Sequence, residues 1–278
     1  MLASRFAPSP TGLLHLGHAY TAVQAAQLAH ASNGRFLLRI EDIDEGRCRL
    51  PFVESIIADL RWLGLEWDGE PLFQSQRTDA YAAALDQLHK LGLTYVCTCT
   101  RTEIAASAPQ GPMGPVYPGT CRNRTHRAEP GAAHCWRLDM AKAVALAGPL
   151  AWHNGSMGKV SANPLSQGDI VLARKGGAAS YHLAVTVDDA FQGVTGIVRG
   201  RDLFEATYIH RLLQALLGLP TPHYHHHALV VGPDGQRLAK RHDAPSLASL
   251  RAGGMDGHSL SEMLRQHRFP VGFRLASP

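Results

Sequence analysis

Apolar residues recur at helical spacing in several segments, and short apolar runs separate these segments. PFVESIIADLRWLG carries a proline where a helix can begin, a glycine where it can end, and apolar side chains on one face. TDAYAAALDQLHKLG has the same spacing, and AYTAVQAAQLAHASNG predicts a helix that stops at Asn33 and Gly34. FLLRI is typical of a short apolar strand. This alternation predicts an α/β fold around a parallel sheet.

From about Tyr95 to about Ala178 the alternation stops, and we interpret this stretch as an insertion. It holds a proline- and glycine-rich segment, PQGPMGPVYPG, and a basic run, CRNRTHR. Alternation resumes with SYHLAVTVDD and IVRGRDLFEATYIHRLLQALLG, where Asp202 is the expected N-cap of a helix ending at Gly218. HHHALVVG then predicts a strand, followed by a turn and a loop that carries Lys240.

These patterns divide the chain into four parts. We expect a first half of the sheet domain over 1–94, an inserted domain over 95–178, a second half of the sheet domain over 179–242, and a short helical C-terminal segment over 243–278. Within the last part, a helix is expected near Ser259 to Gln266.

Composition and charge limit the class of protein. The 278 residues are 45% hydrophobic and 18% charged, which is ordinary for a globular chain. No apolar run reaches the roughly 18 residues that a membrane span needs, and the N-terminus lacks the apolar core of a signal peptide. A net charge of +4 suits a chain that contacts a polyanion with one face. We therefore expect a cytoplasmic protein without membrane contact.

Three of the five cysteines, Cys97, Cys99 and Cys121, lie close together in the chain. In a reducing compartment such a cluster favours a metal site over disulfides. Two thiolates two residues apart and a third from a nearby loop supply most of a tetrahedral Zn²⁺ shell, although three free buried cysteines are the alternative. Spacing alone leaves the fourth ligand open among His126, His134 and Cys135.

PSPTGLLHLGHA combines a tight proline and glycine loop with the start of a helix. Gly17 allows a ligand to approach the backbone there, and a helix N-terminus favours anions. His15 and His18, three residues apart, would face the same phosphates and donate hydrogen bonds as a carboxylate attacks ATP. Composition alone is equally consistent with a proline-rich turn that carries two surface histidines.

PSPTGxLHxGH closely resembles the HIGH motif of class I aminoacyl-tRNA synthetases, in the form found in the glutamyl and glutaminyl branch. RIEDIDEGR at 39–47 and SYHLAVTVDDAFQGVTGIVRGRDL resemble two further segments of that branch. The resemblance extends from Arg5 to about Leu247. It implies a Rossmann-type, doubly wound parallel sheet with an inserted domain that binds zinc and resembles an acceptor-binding domain.

The resemblance also implies residue roles. Arg5 is expected to bind the side-chain carboxylate of L-glutamate, a task suited to the guanidinium fork, and Glu41 to hold the amino group. The remaining expected glutamate contacts are Ala7, Ser9, Tyr181 and Arg199. The expected ATP-binding residues are Pro8, His15, Gly17, His18 and Lys240, with His15, His18 and Lys240 as the catalytic group. Asp188 and Asp189 are expected to be structural.

The second ATP motif of the class, KMSKS, aligns with Arg237, Leu238, Ala239, Lys240 and Arg241. Arginine replaces its first lysine and alanine its serine. The catalytic lysine is kept as Lys240, and Arg241 keeps a neighbouring positive charge, so activation of the amino acid is still expected. The triplet His225 to His227 is not expected to bind a metal, because strand alternation places His226 on the opposite face from its neighbours.

Only 38 residues follow Lys240, whereas a separate anticodon-binding domain needs roughly 100 or more. The resemblance is therefore to shortened glutamyl paralogues, whose C-x-C and Y-x₃-C arrangement points to Tyr117 as the fourth zinc ligand. It implies activation of glutamate by ATP with Mg²⁺, followed by transfer to queuosine in the anticodon of tRNA(Asp), by a monomer. Two alternatives remain: a minimal synthetase that charges a tRNA 3′ end, and a non-catalytic tRNA-binding paralogue.

Overall fold

The computed structural model describes residues 1–111, 114–123, 133–238 and 245–277. The chain divides into two compact units. The first unit comprises residues 1–76, 194–202 and 222–278. The second unit comprises residues 77–193 and 203–221.

Strands and helices alternate over most of the chain. Within the described ranges the strands are β1 (Ala3–Phe6), β2 (Arg35–Ile40), β3 (Leu72–Phe73), β4 (Thr94–Cys97), β5 (Gln110–Gly111), β6 (Gly114–Pro115), β7 (Cys135–Leu138), β8 (Ala151–Asn154), β9 (Gly158–Ser161), β10 (Val171–Ala173), β11 (Gly196–Gly200), β12 (His223–His227), β13 (Val230–Val231) and β14 (Arg274–Leu275). The helices in the same ranges are α1 (Leu16–His30), α2 (Leu50–Trp62), α3 (Thr78–Lys90), α4 (Arg101–Ser107), α5 (Met140–Ala147), α6 (Tyr181–Phe191), α7 (Ala206–Leu217), α8 (Leu247–Ala252) and α9 (Gly257–Arg265).

The first unit is built on parallel strands. β1, β2 and β3 pair in that order, all parallel, and β11 pairs parallel with β12. β11 begins beside β1, because the N–H of Thr195 donates to the carbonyl oxygen of Ala3 at 2.9 Å. The α/β fold with a parallel sheet, predicted from the alternation, is confirmed.

Small residues let α1 lie close to this sheet. Its buried face is made largely of alanines, and five of them are at most 2% exposed: Ala19, Ala22, Ala25, Ala26 and Ala29. They join one apolar core with Phe36, Leu38 and Ile40 of β2. Because an alanine adds little volume, α1 can pack close to the strands.

Local signals placed several helix ends correctly. Pro51 lies in the first turn of α2, and Gly218 ends α7 in the left-handed conformation at φ 65°. The prediction that Asp202 caps α7 is wrong. That helix begins at Ala206, and Asp202 instead forms an ion pair with Arg237 at 2.6 Å. The carboxylate has a cationic partner, so it does not serve as a backbone cap.

The second unit has antiparallel strands and a helical core. β7 pairs with β4 on one side and β10 on the other, and β8 and β9 form a hairpin. The segment SYHLAVTVDD forms α6, whose N-cap Ser180 accepts from the N–H of Leu183. α3, α5, α6 and α7 contribute to one apolar core. This unit contains the predicted insertion together with flanking helices, and the four-part division of the chain stays a prediction.

The C-terminal segment belongs to the first unit. α9 lies where a helix was expected near Ser259, and it is capped by Asp256. α8, which the pattern did not predict, packs on α2 through an ion pair of 3.2 Å between Arg251 and the fully buried Asp59. β14 pairs antiparallel with β13. No helix in the described ranges is long and apolar enough to cross a membrane.

Asp59 makes the stability of the first unit depend on pH. Burial raises the pKa of its carboxyl to about 6, and Arg251 offsets this effect only in part. The folded protein therefore binds this proton more tightly than the unfolded chain, so stability is lost as pH rises from about 4 through 6. We expect Asp59→Asn to remove this loss. The free energy of unfolding of Asp59→Asn minus that of wild type should increase by about 1–3 kcal/mol from pH 4 to pH 7.

Urea titrations of both proteins at several pH values measure this difference. Asp79→Asn is the matched control, because Asp79 is exposed in the first turn of α3. A difference between wild type and Asp59→Asn that stays constant with pH would contradict the assignment.

Candidate active site and metal centre

Two histidines cap the N-terminus of α1. Nδ1 of His15 accepts from the N–H of Gly17 at 3.1 Å, and Nδ1 of His18 accepts from the N–H of His15 at 3.1 Å. The two ring centroids are 3.8 Å apart. Because each Nδ1 is an acceptor, each neutral ring carries its proton on Nε2, which makes Nε2 a hydrogen-bond donor. The caps thus fix the tautomer in which each Nε2–H can donate to an anion.

Gly17 has a steric role at this helix start. A Cβ at this position would lie 3.0 Å from Cε1 and 3.2 Å from Nδ1 of the His15 ring. Such contacts are tighter than normal packing allows, so a side chain here would displace the ring. The residues that lead into the helix vary in exposure: Ala7 is half-buried, Pro8 is buried and Ser9 is exposed.

Charged side chains are buried near the carboxyl ends of the parallel strands. Arg5 lies in β1, Arg39 in β2 and Arg199 in β11, and each is at most 5% exposed. Glu41 directly follows β2, where its N–H donates to the carbonyl oxygen of Pro8 at 3.0 Å. Its carboxylate lies 3.4 Å from Nη2 of Arg39. The ends of parallel strands are where open α/β sheets bind ligands.

Arg39 is a further charged residue of the site, for which the sequence motifs predict no role. It is fully buried between Leu38 and Ile40 along β2. Its position inside an apolar strand could have indicated a role, because a buried guanidinium requires an anionic or polar partner. Its bond to Glu41 holds that carboxylate in place.

Lys240 lies outside the described residues, but the chain on both sides of it is described. On the entering side, the N–H of Leu238 donates to the carbonyl oxygen of Val230 at 3.4 Å. On the leaving side, Ser246 forms a β-bridge with His15, and the N–H of Leu247 donates to the carbonyl oxygen of Leu14 at 2.8 Å. The leaving end of the segment is thereby fixed beside the capped start of α1.

β12 alternates as the sequence predicted for the histidine triplet. Tyr224 and His226 are buried, whereas His225 and His227 are half-buried on the other face. Nε2 of His227 lies 2.9 Å from the hydroxyl oxygen of Thr21. Of the described histidines, none joins a cluster that could bind a metal.

Tyr181 is the first residue of α6 and belongs to the second unit. Its ring lies 5.4 Å from that of His182 and 5.6 Å from that of His210, and these two histidines are joined at 3.2 Å between Nδ1 and Nε2. Deeper in α6, Asp188 is fully buried and accepts from Nε of Arg77 at 2.6 Å and from the hydroxyl of Tyr81 at 2.7 Å.

The second unit also brings the predicted metal ligands together. The Sγ atoms of Cys97, Cys99 and Cys121 lie within 4.8 Å of one another. The Tyr117 hydroxyl lies 3.3 Å from Sγ of Cys97 and 3.6 Å from Sγ of Cys99, and it accepts from the N–H of Cys121 at 2.9 Å. Ligands at zinc bond lengths in a tetrahedron are separated by about 3.5–3.8 Å. The three thiol sulfurs could therefore hold one metal ion, and the Tyr117 hydroxyl lies beside two of them.

The other described candidates do not join this cluster. Cys135 faces Cys97 across the antiparallel pair, but neither its Sγ nor a ring nitrogen of His134 belongs to the compact group. His126 lies outside the described residues. Burial raises the pKa of Cys121, but hydrogen bonds from Tyr117 and from the Thr98 backbone outweigh this effect and lower the pKa to about 7. The Cys121 thiol is therefore easily ionised, as a metal ligand must be.

Comparisons with known proteins agree with this geometry. The catalytic-domain model of class I tRNA synthetases (E and Q) matches residues 1–270. The chain belongs to this family. It is 49% identical to a Rhodobacter capsulatus protein named Glutamyl-Q tRNA(Asp) synthetase, over 91% of this chain and 96% of that one. A Symbiobacterium thermophilum protein of the same name is 44% identical over 91% and 82% of the two chains.

A solved structure extends the comparison to three dimensions. The glutamate tRNA ligase from Elizabethkingia meningosepticum, crystallised in complex with its amino acid, matches with a TM-score of 0.79 and 26% identity. The match covers 96% of this chain but only 60% of the ligase, so the chain spans less than two thirds of that protein.

The buried ion pair of Asp188 indicates a structural role, and stability measurements test it. We expect Asp188→Asn to lower the free energy of unfolding by about 3 kcal/mol, because the Arg77 charge loses its buried partner. Asp86→Asn is the matched control, since its pair with Lys90 at 2.6 Å is exposed on both sides and contributes little. An Asp188→Asn protein as stable as the control would contradict this role.

Proposed function

We propose that this chain activates L-glutamate with ATP and transfers it to the queuosine base in the anticodon of tRNA(Asp). The observation that carries the proposal is the set of buried charges near the strand ends, formed by Arg5, Glu41 and Arg199 and adjoined by a helix start capped by two histidines. The names of the relatives support the acceptor. We further propose that it acts in the cytoplasm as a monomer.

In the proposed first step, a carboxylate oxygen of glutamate attacks the α-phosphorus of ATP. A carboxyl–phosphate bond forms, the bond to the β-phosphate oxygen breaks, and pyrophosphate leaves with its electron pair. The nucleophile is already ionised at neutral pH, so no general base is required. Rate acceleration therefore depends on orientation and on the stabilisation of developing charge.

Each proposed residue supplies one of these contributions. Arg5 and Arg199 bind carboxylate, and Glu41 binds the ammonium group. The expected role of Tyr181 in glutamate binding stays a prediction. The Nε2–H groups of His15 and His18 donate to phosphate oxygens, and the N-terminus of α1 favours the same anion. Ala7, Pro8, Ser9 and Gly17 line the loop and helix start around these ligands. Lys240 adds positive charge to the leaving pyrophosphate, and Mg²⁺ enters bound to ATP.

Glutamate-dependent exchange of labelled pyrophosphate into ATP tests this step without tRNA. We expect wild type to catalyse exchange with glutamate. Lys240→Ala should lower the rate by about 10²–10³-fold, as loss of one preorganised donor does elsewhere. Lys159→Ala, at an exposed position in β9, is the matched control and should retain the rate. Absence of glutamate-dependent exchange by wild type would refute the proposed activity.

We also propose that Cys97, Cys99, Tyr117 and Cys121 bind one Zn²⁺. The distances among their ligand atoms support this set. Four protein ligands would close the coordination shell, so the ion would stabilise the loop rather than take part in catalysis. Arg137 supports the tyrosine, because its Cζ lies 3.8 Å from the centre of the Tyr117 ring.

Metal analysis tests whether Tyr117 or Cys135 is the fourth zinc ligand. We expect about one zinc per wild-type chain and a lower melting temperature after chelation. Tyr117→Phe should weaken zinc binding by at least the roughly 10–100-fold that loss of a supporting residue costs. Cys135→Ser is the control and should retain the metal. The reverse pattern, with zinc lost from Cys135→Ser and kept in Tyr117→Phe, would contradict the proposed ligand set.

A further inference from the structure

Arg199 and His226 are partners across two parallel strands. They occupy the same register position of β11 and β12, so their side chains extend from the same face of the pair. Both are buried, at 4% and 9% exposure. Nε of Arg199 donates a hydrogen bond to Nε2 of His226 at 3.1 Å.

A second contact places the guanidinium over an aromatic ring. Cζ of Arg199 lies 5.0 Å from the centre of the Tyr224 ring. The Tyr224 and His226 rings are parallel to within 6°, with centroids 6.0 Å apart. The guanidinium is therefore bonded to the histidine through Nε and has its central carbon over the tyrosine ring, and these two contacts restrain its movement.

The imidazole of His226 is neutral near pH 7, so its Nε2 can accept a hydrogen bond. Burial lowers its pKa, and the Arg199 charge lowers it further, to about 2. A protonated ring could not accept from Arg199, because both of its nitrogens would be donors. The neutral form is thus the one that matches its partner.

We infer that His226 is a positioning residue, which holds Arg199 in the orientation that binds a carboxylate of glutamate. Because His226 occupies Nε, a carboxylate meets the guanidinium through its two terminal nitrogens, in the paired geometry that gives charge-assisted hydrogen bonds their directionality. The inference rests on the proposed function, in which Arg199 contacts glutamate.

Glutamate binding to the free protein, measured by calorimetry, and pyrophosphate exchange together test the inference. We expect His226→Leu to raise the Kd and the KM for glutamate by about 10–100-fold, the range expected for loss of a hydrogen bond to a charged group. The KM for ATP should stay within about twofold of wild type, which is a much smaller change than the one expected for glutamate. His226→Gln keeps an acceptor and should remain within about threefold of wild type for glutamate. His223→Leu, at the exposed end of the same strand, is the matched control.

A double-mutant cycle separates positioning from a general effect on stability. In the Arg199→Ala background, His226→Leu should change the glutamate Kd by less than about twofold, because the residue through which it acts is gone. Two results would overturn the inference: effects of the two substitutions on the glutamate Kd that multiply, or a His226→Leu protein with wild-type glutamate affinity. In either case, glutamate-dependent exchange by wild type would still support the proposed activity. Wild type that neither binds glutamate nor exchanges would overturn both. If His226→Leu does not fold, a His226→Gln protein with glutamate affinity as weak as that of Arg199→Ala would overturn the inference.

Discussion

Burial of charge at the carboxyl ends of parallel strands is the constraint on which the candidate site depends. Arg5, Arg39 and Arg199 lose most of their water on folding, and such charges are tolerated only with anionic or polar partners. Glu41 and His226 supply two of these partners from within the first unit. The same arrangement holds the cations in fixed orientations, so a bound carboxylate would meet groups that need little reorganisation.

The fold was predictable where the signals are local. Proline at the start of α2 and glycine after α7 act within one turn of chain, so their effects do not depend on distant residues. Asp202 shows the limit of such reasoning. Its carboxylate can cap a helix or pair with a cation, and Arg237, 35 positions away, decides the outcome. α8 was missed because it is too short to show a helical period.

The site was predictable in part for the same reason. Cys97, Cys99 and Cys121 carry a ligand pattern that spacing reveals, and the structure brings their sulfur atoms together. Spacing could not choose a fourth ligand, because the choice depends on how a loop folds back onto β4. The role of His226 depends on the register of two strands, which a pattern of apolar residues does not determine.

The proposed acceptor is a modified anticodon base rather than a tRNA 3′ end, and glutamate transfer to defined tRNAs distinguishes the two. Labelled glutamate is offered with ATP to tRNA(Asp) with or without queuosine and to unmodified tRNA(Glu), each prepared with and without its 3′-terminal adenosine. We expect label only on the queuosine-containing tRNA(Asp), in equal amounts on its complete and trimmed forms. Label on unmodified tRNA(Glu), or label that disappears when the 3′ adenosine is removed, would contradict it.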